Sequence, residues 1–357
     1  MQGVQITVHS SQLLSAGCAY TLPDMSRRLI TFFFFTIALF ARFVRADEVA
    51  AGGKFPAHDT LNCAVDSVAD AAACVDGLRW TPGGFSVGIE AAQGQGDWLV
   101  RFPSAVPSGD ATNDNVAMEW HMARDKDGKP KVAPAIVIVH ESGRGMVAGR
   151  IFAQGLRPYG FHTFMIYLPG YGARTSAITG DPQKMLPALK QAIADVRRAR
   201  DAVVALPFID KTLIGLQGTS LGGFVTATVA GLDRGYDRTF ILLAGGNIAD
   251  VILTGTRDAA GLRKRLMEAG ITEAQIREHS QSIEPMRLAH RLDPKTVWLY
   301  SGKNDEVVPP ACSRAFATAG KLDRDHHIEL PVGHYTAAIL MPLILPRINE
   351  LMRAPGK

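Results

Sequence analysis

Residues 213–230 read LIGLQGTSLGGFVTATVA and contain the pentapeptide Gly218-Thr219-Ser220-Leu221-Gly222. An apolar run precedes the pentapeptide, and a segment that can form a helix follows it. This order of strand, tight turn and helix is the context in which G-x-S-x-G forms a nucleophile elbow, which raises the serine hydroxyl above the sheet. The flanking glycines leave room where a side chain would meet the neighbouring strand or helix. The stretch therefore predicts Ser220 as a nucleophile rather than as part of an ordinary glycine-rich turn.

An acid and a histidine follow Ser220 in the chain. Asp305 comes shortly after the apolar run 296–300, which predicts a buried strand, and His334 lies in a short loop after another apolar segment. An acid just past the carboxyl end of a strand lies at the sheet edge where open α/β folds place their sites. The order serine, aspartate, histidine is the one used by α/β-hydrolases. We therefore predict a catalytic triad of Ser220, Asp305 and His334.

From about residue 130 to residue 353 the chain resembles an α/β-hydrolase, nearest to the dienelactone-hydrolase and prolyl-oligopeptidase-like branch. The resemblance rests on the helix, linker and elbow at 195–223, the acid loop NDEVVP at 304–309, and Gly333-His334. It implies a mostly parallel central sheet flanked by helices. Dienelactone hydrolases carry cysteine at the nucleophile, so Ser220 departs from them and points to ester hydrolysis in general.

A glycine-rich loop, HESGRG at 140–145, follows the apolar run 135–139. In the resembled fold, two backbone N–H groups bind the developing oxyanion, one after the nucleophile and one after the third strand. The elbow assigns the first to Leu221. The resemblance assigns the second to Ser142 or Glu141, and we take Ser142 as the working assignment. We expect His140 to order this loop by hydrogen bonds.

The acid and the histidine have rivals. Asp305 is also a good N-cap for a helix that begins near Pro310, and Glu306 is the alternative acid, in a position typical of a solvated loop residue. His326 and His327 lie in an alternating segment typical of a strand. We expect one of these two histidines at the surface and the other packed.

Three other charged residues are interpreted as solvated. Asp325 lies in the charged turn 321–325, where water accounts for it. Arg144 and Arg174 are candidates for substrate contact, but solvated arginines are the expectation.

The predicted triad implies hydrolysis of a carboxylic ester through an acyl-enzyme. The sequence holds no CxxC pair, HExxH, P-loop or dinucleotide fingerprint, so we expect no cofactor and no metal. The expected substrate is a small-molecule or polymer ester. The alternatives are a prolyl-oligopeptidase-like peptidase, an acyltransferase with the same acyl-enzyme, and a non-catalytic binding module that would not require all three residues.

Residues 25–46 read MSRRLITFFFFTIALFARFVRA, with a positive start, a short apolar core and a small-residue site. This pattern predicts a secretory signal peptide that begins at Met25, with residues 1–24 as upstream sequence. The apolar core is shorter than the roughly 20 residues that span a bilayer. An uncleaved anchor is the alternative, and would be the chain's link to a membrane. We expect a periplasmic or secreted protein.

The net charge of +4 is concentrated in this leader. Four arginines and one aspartate in residues 1–46 contribute +3, which leaves about +1 for the rest. With no basic stripe visible, we expect no nucleic-acid partner. Cys63 and Cys74 flank a short helical segment, and export predicts a disulfide between them. Two buried thiols are the alternative, and Cys312 is expected to be packed.

The predicted organisation has three parts. Residues 1–46 hold the upstream sequence and signal peptide, residues 47–130 an extension and the first antiparallel strands, and residues 131–357 the catalytic core. The extension lacks strong periodicity before residue 90. Within the core, residues 247–282 have a helical pattern and are interpreted as a cap over the site, or as a plain decorating helix pair.

Overall fold

Residues 49–176 and 180–354 are described in the computed structural model, and the predicted signal peptide lies outside them. This part of the chain forms a ten-stranded sheet. The strands are β1 (Lys54–His58), β2 (Gly84–Ala91), β3 (Trp98–Pro103), β4 (Asn115–His121), β5 (Ala133–Val139), β6 (His162–Ile166), β7 (Ile209–Thr219), β8 (Arg238–Leu242), β9 (Val297–Gly302) and β10 (His327–Leu330).

Helices connect these strands. The α-helices are α1 (Ala69–Leu78), α2 (Ala111–Asp114), α3 (Val147–Leu156), α4 (Met185–Val204), α5 (Leu221–Asp233), α6 (Ile248–Thr254), α7 (Asp258–Glu268), α8 (Glu273–Gln281), α9 (Pro285–Leu288), α10 (Pro310–Ala319) and α11 (Met341–Arg353). Short 3₁₀ turns lie at Arg157–Tyr159, Gly172–Arg174, Pro182–Lys184, Ala289–Arg291 and Thr336–Leu340.

The strand order is β1-β2-β3-β4-β6-β5-β7-β8-β9-β10. Strands β1 to β4 and the β4–β6 pair are antiparallel, whereas every pair from β6 to β10 is parallel. The predicted fold class, a mostly parallel sheet flanked by helices, is therefore confirmed. The parallel register places Val139 beside Gly218, and Thr219 beside Leu242. The loops after these strands consequently open at one edge of the sheet.

Alternation along β5 explains how both faces of the sheet are covered. Val137 packs with α4 and α5, whereas Ile136 and Ile138 pack on the other face, with α3 and α11. Successive side chains of a strand point to opposite faces. A continuous run of apolar residues, APAIVIV, is thus what a central strand buried on both sides requires.

The extension adds more strands than its sequence indicates. Residues 47–90 lack a strong pattern, yet β1 and β2 form the antiparallel end of the sheet. β1 is an edge strand with alternating exposed and half-buried residues, so a weak signal is expected from it.

Beyond β1, Asp59 accepts hydrogen bonds from Arg198 on α4 at 2.8 and 2.6 Å. Burial alone would raise the pKa of Asp59, but the hydrogen bonds from Arg198 and Trp80 outweigh it and lower that pKa.

The predicted disulfide between Cys63 and Cys74 is wrong, because both thiols are free, as is Cys312. Cys74 lies on the buried face of α1, and its Sγ donates to the Ser282 carbonyl at 3.7 Å. Cys63 lies ahead of the helix, in the electrostatic field of Asp233. The two side chains thus have different surroundings, and burial raises the pKa of each thiol to about 11.

Arg174, expected at the surface, is fully buried. Its guanidinium donates to the carbonyls of Asn113 and Tyr167 and to the Asp195 carboxylate, which is 2.7 Å away. Ser104 donates to the same carboxylate at 2.6 Å. A buried charge requires such partners. Arg174 therefore connects the loop after β6 to α4 instead of contacting solvent.

We predict that Arg174→Ala destabilises the protein by about 3–5 kcal/mol, because it leaves the buried Asp195 without its counter-ion. Urea unfolding monitored by circular dichroism measures this change. Arg347→Ala is the control, since the Arg347–Glu350 pair is exposed, with side-chain accessibilities of 53% and 62%. An exposed pair contributes about 0–1 kcal/mol. Equal losses in the two variants would contradict the structural role of Arg174.

Candidate active site

Ser220 lies between the last residue of β7 and the first residue of α5. Its backbone has φ 53° and ψ −117°, an unfavourable conformation for a non-glycine residue that costs about 1–3 kcal/mol. The Ser220 N–H donates to the Leu242 carbonyl at 2.9 Å, and the Ser220 carbonyl accepts from the Phe224 N–H at 3.0 Å. These bonds to β8 and α5 hold the strained turn in place.

Gly218 and Gly222 are required because no larger residue fits at either position. A Cβ at Gly222 would overlap the backbone carbonyls of Val139 and His140 at the end of β5. A Cβ at Gly218 would overlap the Thr226 side chain and the Gly222 carbonyl. Backbone atoms of the sheet cannot rotate away as side chains do. The glycines thus allow α5 to begin directly against β5.

The structure brings the three predicted residues into one hydrogen-bonded line. His334 Nε2 lies 2.9 Å from Ser220 Oγ, and His334 Nδ1 lies 2.7 Å from Asp305 Oδ2. The side chains of His334 and Asp305 are only 8% and 2% exposed. A neutral imidazole satisfies both bonds when Nδ1–H donates to the carboxylate and Nε2 accepts from the serine hydroxyl.

The Asp305 carboxylate also stabilises the backbone turn that follows β9. Its Oδ1 accepts from the N–H groups of Val307 and Val308 at 2.9 and 2.8 Å, ahead of α10. The N-cap-like role and the triad position expected from the sequence therefore coexist, one on each carboxylate oxygen. Because both oxygens accept hydrogen bonds, the carboxyl group cannot rotate away from His334 without losing contacts.

The loop after β5 is ordered by two side chains. His140 is fully buried; its Nδ1 lies 2.6 Å from the Glu141 carbonyl, and its Nε2 accepts from the Leu168 N–H at 3.1 Å. Burial lowers the pKa of His140 to about 4, so the ring is neutral. Glu141 accepts from the N–H groups of Ala148 and Gly149 at the start of α3.

Ser142 and Leu221 line the same cavity as Ser220. Leu221 is the first residue of α5, where backbone N–H groups have no acceptor within the helix. The two assigned N–H donors therefore belong to residues that border one space next to the serine.

The rival residues lie elsewhere. Glu306 is exposed and pairs with Arg257 at 3.1 Å. His326 bonds to Asp323 at 2.8 Å and stacks on a tryptophan ring, while His327 contacts Ser301 Oγ at 2.9 Å. Each has a local partner away from Ser220.

A cavity of about 1180 Å³ opens beside Ser220. Its walls come from α4, α5 and the three helices α6, α7 and α8 of the segment interpreted as a cap. These helices pack around Ile252, Leu266 and Ile276. All three of these residues also line the cavity. Residues 247–282 therefore form a wall of the site.

Two contributors to this region were missed from the sequence. Glu284 accepts from the N–H groups of Asn247 and Ile248 and thereby fixes where the cap begins. The sequence does carry a signal for Glu284, because an acidic residue directly before a proline is typical of the start of a helix. Tyr171, which lines the cavity and packs on the His140 ring at 4.6 Å, has no comparable signal.

Residues 49–176 and 180–354 contain neither a candidate metal site nor a candidate membrane-spanning helix. In that range no group of three or more histidine, cysteine or acidic side chains is arranged to hold a metal ion. None of the helices described there has the length and apolarity needed to cross a bilayer.

Comparison with known proteins supports the architecture. Residues 188–333 match the model of the prolyl oligopeptidase family. Acetyl xylan esterase 1 from Thermoanaerobacterium sp. is similar in structure, with a TM-score of 0.55 and 15% identity over 82% of this chain and 96% of that one. No curated protein sequence matched significantly.

Two further solved structures are similar. The acetyl xylan esterase from Paenibacillus sp. has a TM-score of 0.56 and 15% identity over 80% of this chain and 96% of that one. An alpha/beta hydrolase from Penicillium sp. has a TM-score of 0.50 and 15% identity over 71% and 97%. At this identity the likeness shows the fold, and the fold expected from the sequence is confirmed.

We predict that Gly222→Ala destabilises the protein by about 1–3 kcal/mol, since the added methyl group meets backbone carbonyls of β5 and forces the elbow to shift. Thermal unfolding followed by circular dichroism measures the loss. The control is Gly77→Ala in α1, where a Cβ meets nothing within 4 Å and alanine favours the helix. A Gly222→Ala protein as stable as the parent would show that the elbow is not constrained in this way.

Proposed function

We propose that this α/β-hydrolase is a serine hydrolase that cleaves carboxylic esters through an acyl-enzyme. One observation carries the proposal: Asp305, His334 and Ser220 form a continuous hydrogen-bonded line that ends at a large cavity. A serine hydroxyl is a weak nucleophile unless a base accepts its proton. His334 is placed to do so, and Asp305 is placed to hold the ring in the required tautomer.

The acylation step follows from this arrangement. Ser220 Oγ attacks the ester carbonyl carbon while its proton moves to His334 Nε2. The carbonyl π electrons move to oxygen, and the N–H groups of Leu221 and Ser142 donate to that oxyanion. The tetrahedral intermediate then collapses, the C–O bond to the alcohol breaks, and His334 returns the proton to the leaving oxygen.

Deacylation repeats these events with water. The oxygen of a water molecule attacks the acyl carbon while His334 Nε2 accepts a proton from that water. The second tetrahedral intermediate then collapses, the bond between the acyl carbon and Ser220 Oγ breaks, and His334 returns the proton to Ser220 Oγ as the carboxylic acid leaves. Asp305 stabilises the imidazolium formed in each half-reaction. The low exposure of His334 and Asp305 strengthens this interaction relative to bulk water.

A peptidase is the second candidate, favoured by the match of residues 188–333 to the prolyl oligopeptidase family. The same triad would attack an amide, whose nitrogen must be protonated as it leaves. Parallel assays with p-nitrophenyl esters of graded chain length and with peptide p-nitroanilides separate the two. Dominant anilide cleavage would replace the ester assignment, and acyl transfer to added alcohols would identify an acyltransferase.

We predict that Ser220→Ala lowers ester hydrolysis by several orders of magnitude, as removal of a triad nucleophile does. The readout is kcat/KM with p-nitrophenyl butyrate, with circular dichroism to verify folding. A fluorophosphonate probe should label the parent protein and not the variant. A folded Ser220→Ala protein that keeps substantial activity would overturn the nucleophile, and a binding module would show no turnover in either protein.

The acid is tested separately. Asp305→Asn should cost on the order of 10⁴ in turnover near neutral pH, because the amide favours the wrong imidazole tautomer. Asp325→Asn is the matched control, since Asp325 is exposed in the turn before β10. The measurement is kcat for both variants, together with their melting temperatures. Loss of activity in Asp325→Asn alone, at equal stability, would move the acid to the later turn.

A further inference from the structure

We infer that the ester substrate carries a carboxylate, which Arg144, Arg265 and the Tyr171 hydroxyl bind at the mouth of the cavity. This inference rests on the proposed ester hydrolysis and names the class of ester. It assigns a specificity role to three residues that take no part in the triad. Arg144 lies two residues after Ser142, Arg265 lies on the cap helix α7, and all three line the cavity with Ser220.

The charges of the described cavity lining point to an anion. The lining holds Arg144, Lys184, Arg257 and Arg265 together with His279, against two acids, Asp181 and Asp258. Asp181 accepts the Gln183 N–H at 2.9 Å and forms no ion pair with Lys184, whereas Arg257 pairs with Glu306 at 3.1 Å. Asp258 adjoins Arg257 in sequence and accepts a hydrogen bond from the Tyr335 side chain.

Arg144 and Arg265 are exposed residues of the lining. Glu141, three residues before Arg144, accepts hydrogen bonds from the N–H groups of Ala148 and Gly149. Among residues 49–176 and 180–354, neither guanidinium is in an ion pair or donates a side-chain hydrogen bond. One comes from the loop that also holds Ser142, and the other from the cap. The two cations therefore line the cavity from separate walls.

Tyr171 lies in the same region. Its ring packs on His140 in the oxyanion loop, and among the described residues its hydroxyl has no hydrogen-bond partner. Burial raises the pKa of Tyr171, the positive charges of Arg265 and Arg144 act in the opposite direction, and the negative charge of Glu141 acts with burial. Both guanidinium groups are thus near enough to act on the phenol electrostatically. The hydroxyl stays protonated and is a third donor for the same anion.

The chemistry of these donors favours a carboxylate. A planar guanidinium presents paired N–H groups that match the two oxygens of a carboxylate. The inner part of the cavity is apolar, with Ile252, Leu266 and Ile276 on the cap side. A substrate with an apolar body and a carboxylate end would fill both environments, whereas a neutral ester would leave the cations unpaired.

Two pairs of isosteric esters test the inference, one for each side of the ester bond. For the acyl side, p-nitrophenyl hydrogen suberate is compared with the p-nitrophenyl ester of suberamic acid. For the alcohol side, the octanoate ester of 4-hydroxybenzoic acid is compared with that of 4-hydroxybenzamide. Each pair differs only in carboxylate against neutral amide. We expect kcat/KM to favour the carboxylate by roughly tenfold in at least one pair, and less at high salt.

The variants assign the preference to residues. Arg265→Gln and Arg144→Gln should each reduce the carboxylate-to-amide ratio severalfold, and Arg265→Lys should retain part of the ratio. Lys264→Gln is the matched control, because it removes one positive charge from the same helix at a residue that pairs with Glu268. A ratio near one in both ester pairs, or an equal loss in Lys264→Gln, would overturn the inference.

A binding measurement keeps this test independent of catalysis. Isothermal titration calorimetry of the Ser220→Ala protein gives the dissociation constant of each intact ester without turnover. Tighter binding of the carboxylate ester, weakened by Arg265→Gln in that background, supports the inference even if turnover fails. Equal binding of both members of each pair refutes it, while measurable hydrolysis of the neutral esters would leave the ester hydrolase assignment standing.

Discussion

The close approach of the elbow to β5 is the constraint on which the site depends. α5 begins where only glycine fits, with the Gly222 Cα against the carbonyls of Val139 and His140. This contact forces the chain through the strained conformation of Ser220 and raises the hydroxyl above the sheet edge. It also places the first N–H of α5 next to the loop after β5. The proposed nucleophile and the proposed oxyanion donors are thus positioned by the same packing contact.

Buried ion pairs of helix α4 connect the parts of the fold that surround this sheet edge. Helix α4 carries Asp195, Arg197 and Arg198, each paired with a residue distant in sequence. Through these pairs the helix connects the loop after β6, the end of α5 and the segment after β1. Such pairs add little net stability compared with apolar packing, but their directional bonds fix one arrangement. The same helix is a wall of the cavity, so its position also shapes the site.

The cap and the triad meet at the loop after β9. Thr256, between α6 and α7, donates its N–H to the Glu306 carbonyl at 2.8 Å, directly beside Asp305. Arg257 reaches the carboxylate of Glu306 and lies 5.5 Å from the centre of the Tyr335 ring, next to His334. The helical segment that lines the cavity is therefore in contact with the loops that carry Asp305 and His334, the proposed partners of Ser220. The cap and the proposed triad are physically connected.

Local sequence determined the elements with strong signals: the apolar strands, the elbow around Ser220, and the order of Asp305 and His334 after their strands. These follow from periodicity and from glycines that a tight turn requires. Only the tertiary structure decided the burial of Arg174, the free thiols of Cys63 and Cys74, and the strands of the extension. Each of these depends on partners far along the chain. A local pattern shows what a segment can form, whereas the partner that compensates a buried charge or pairs an edge strand is supplied by the assembled fold.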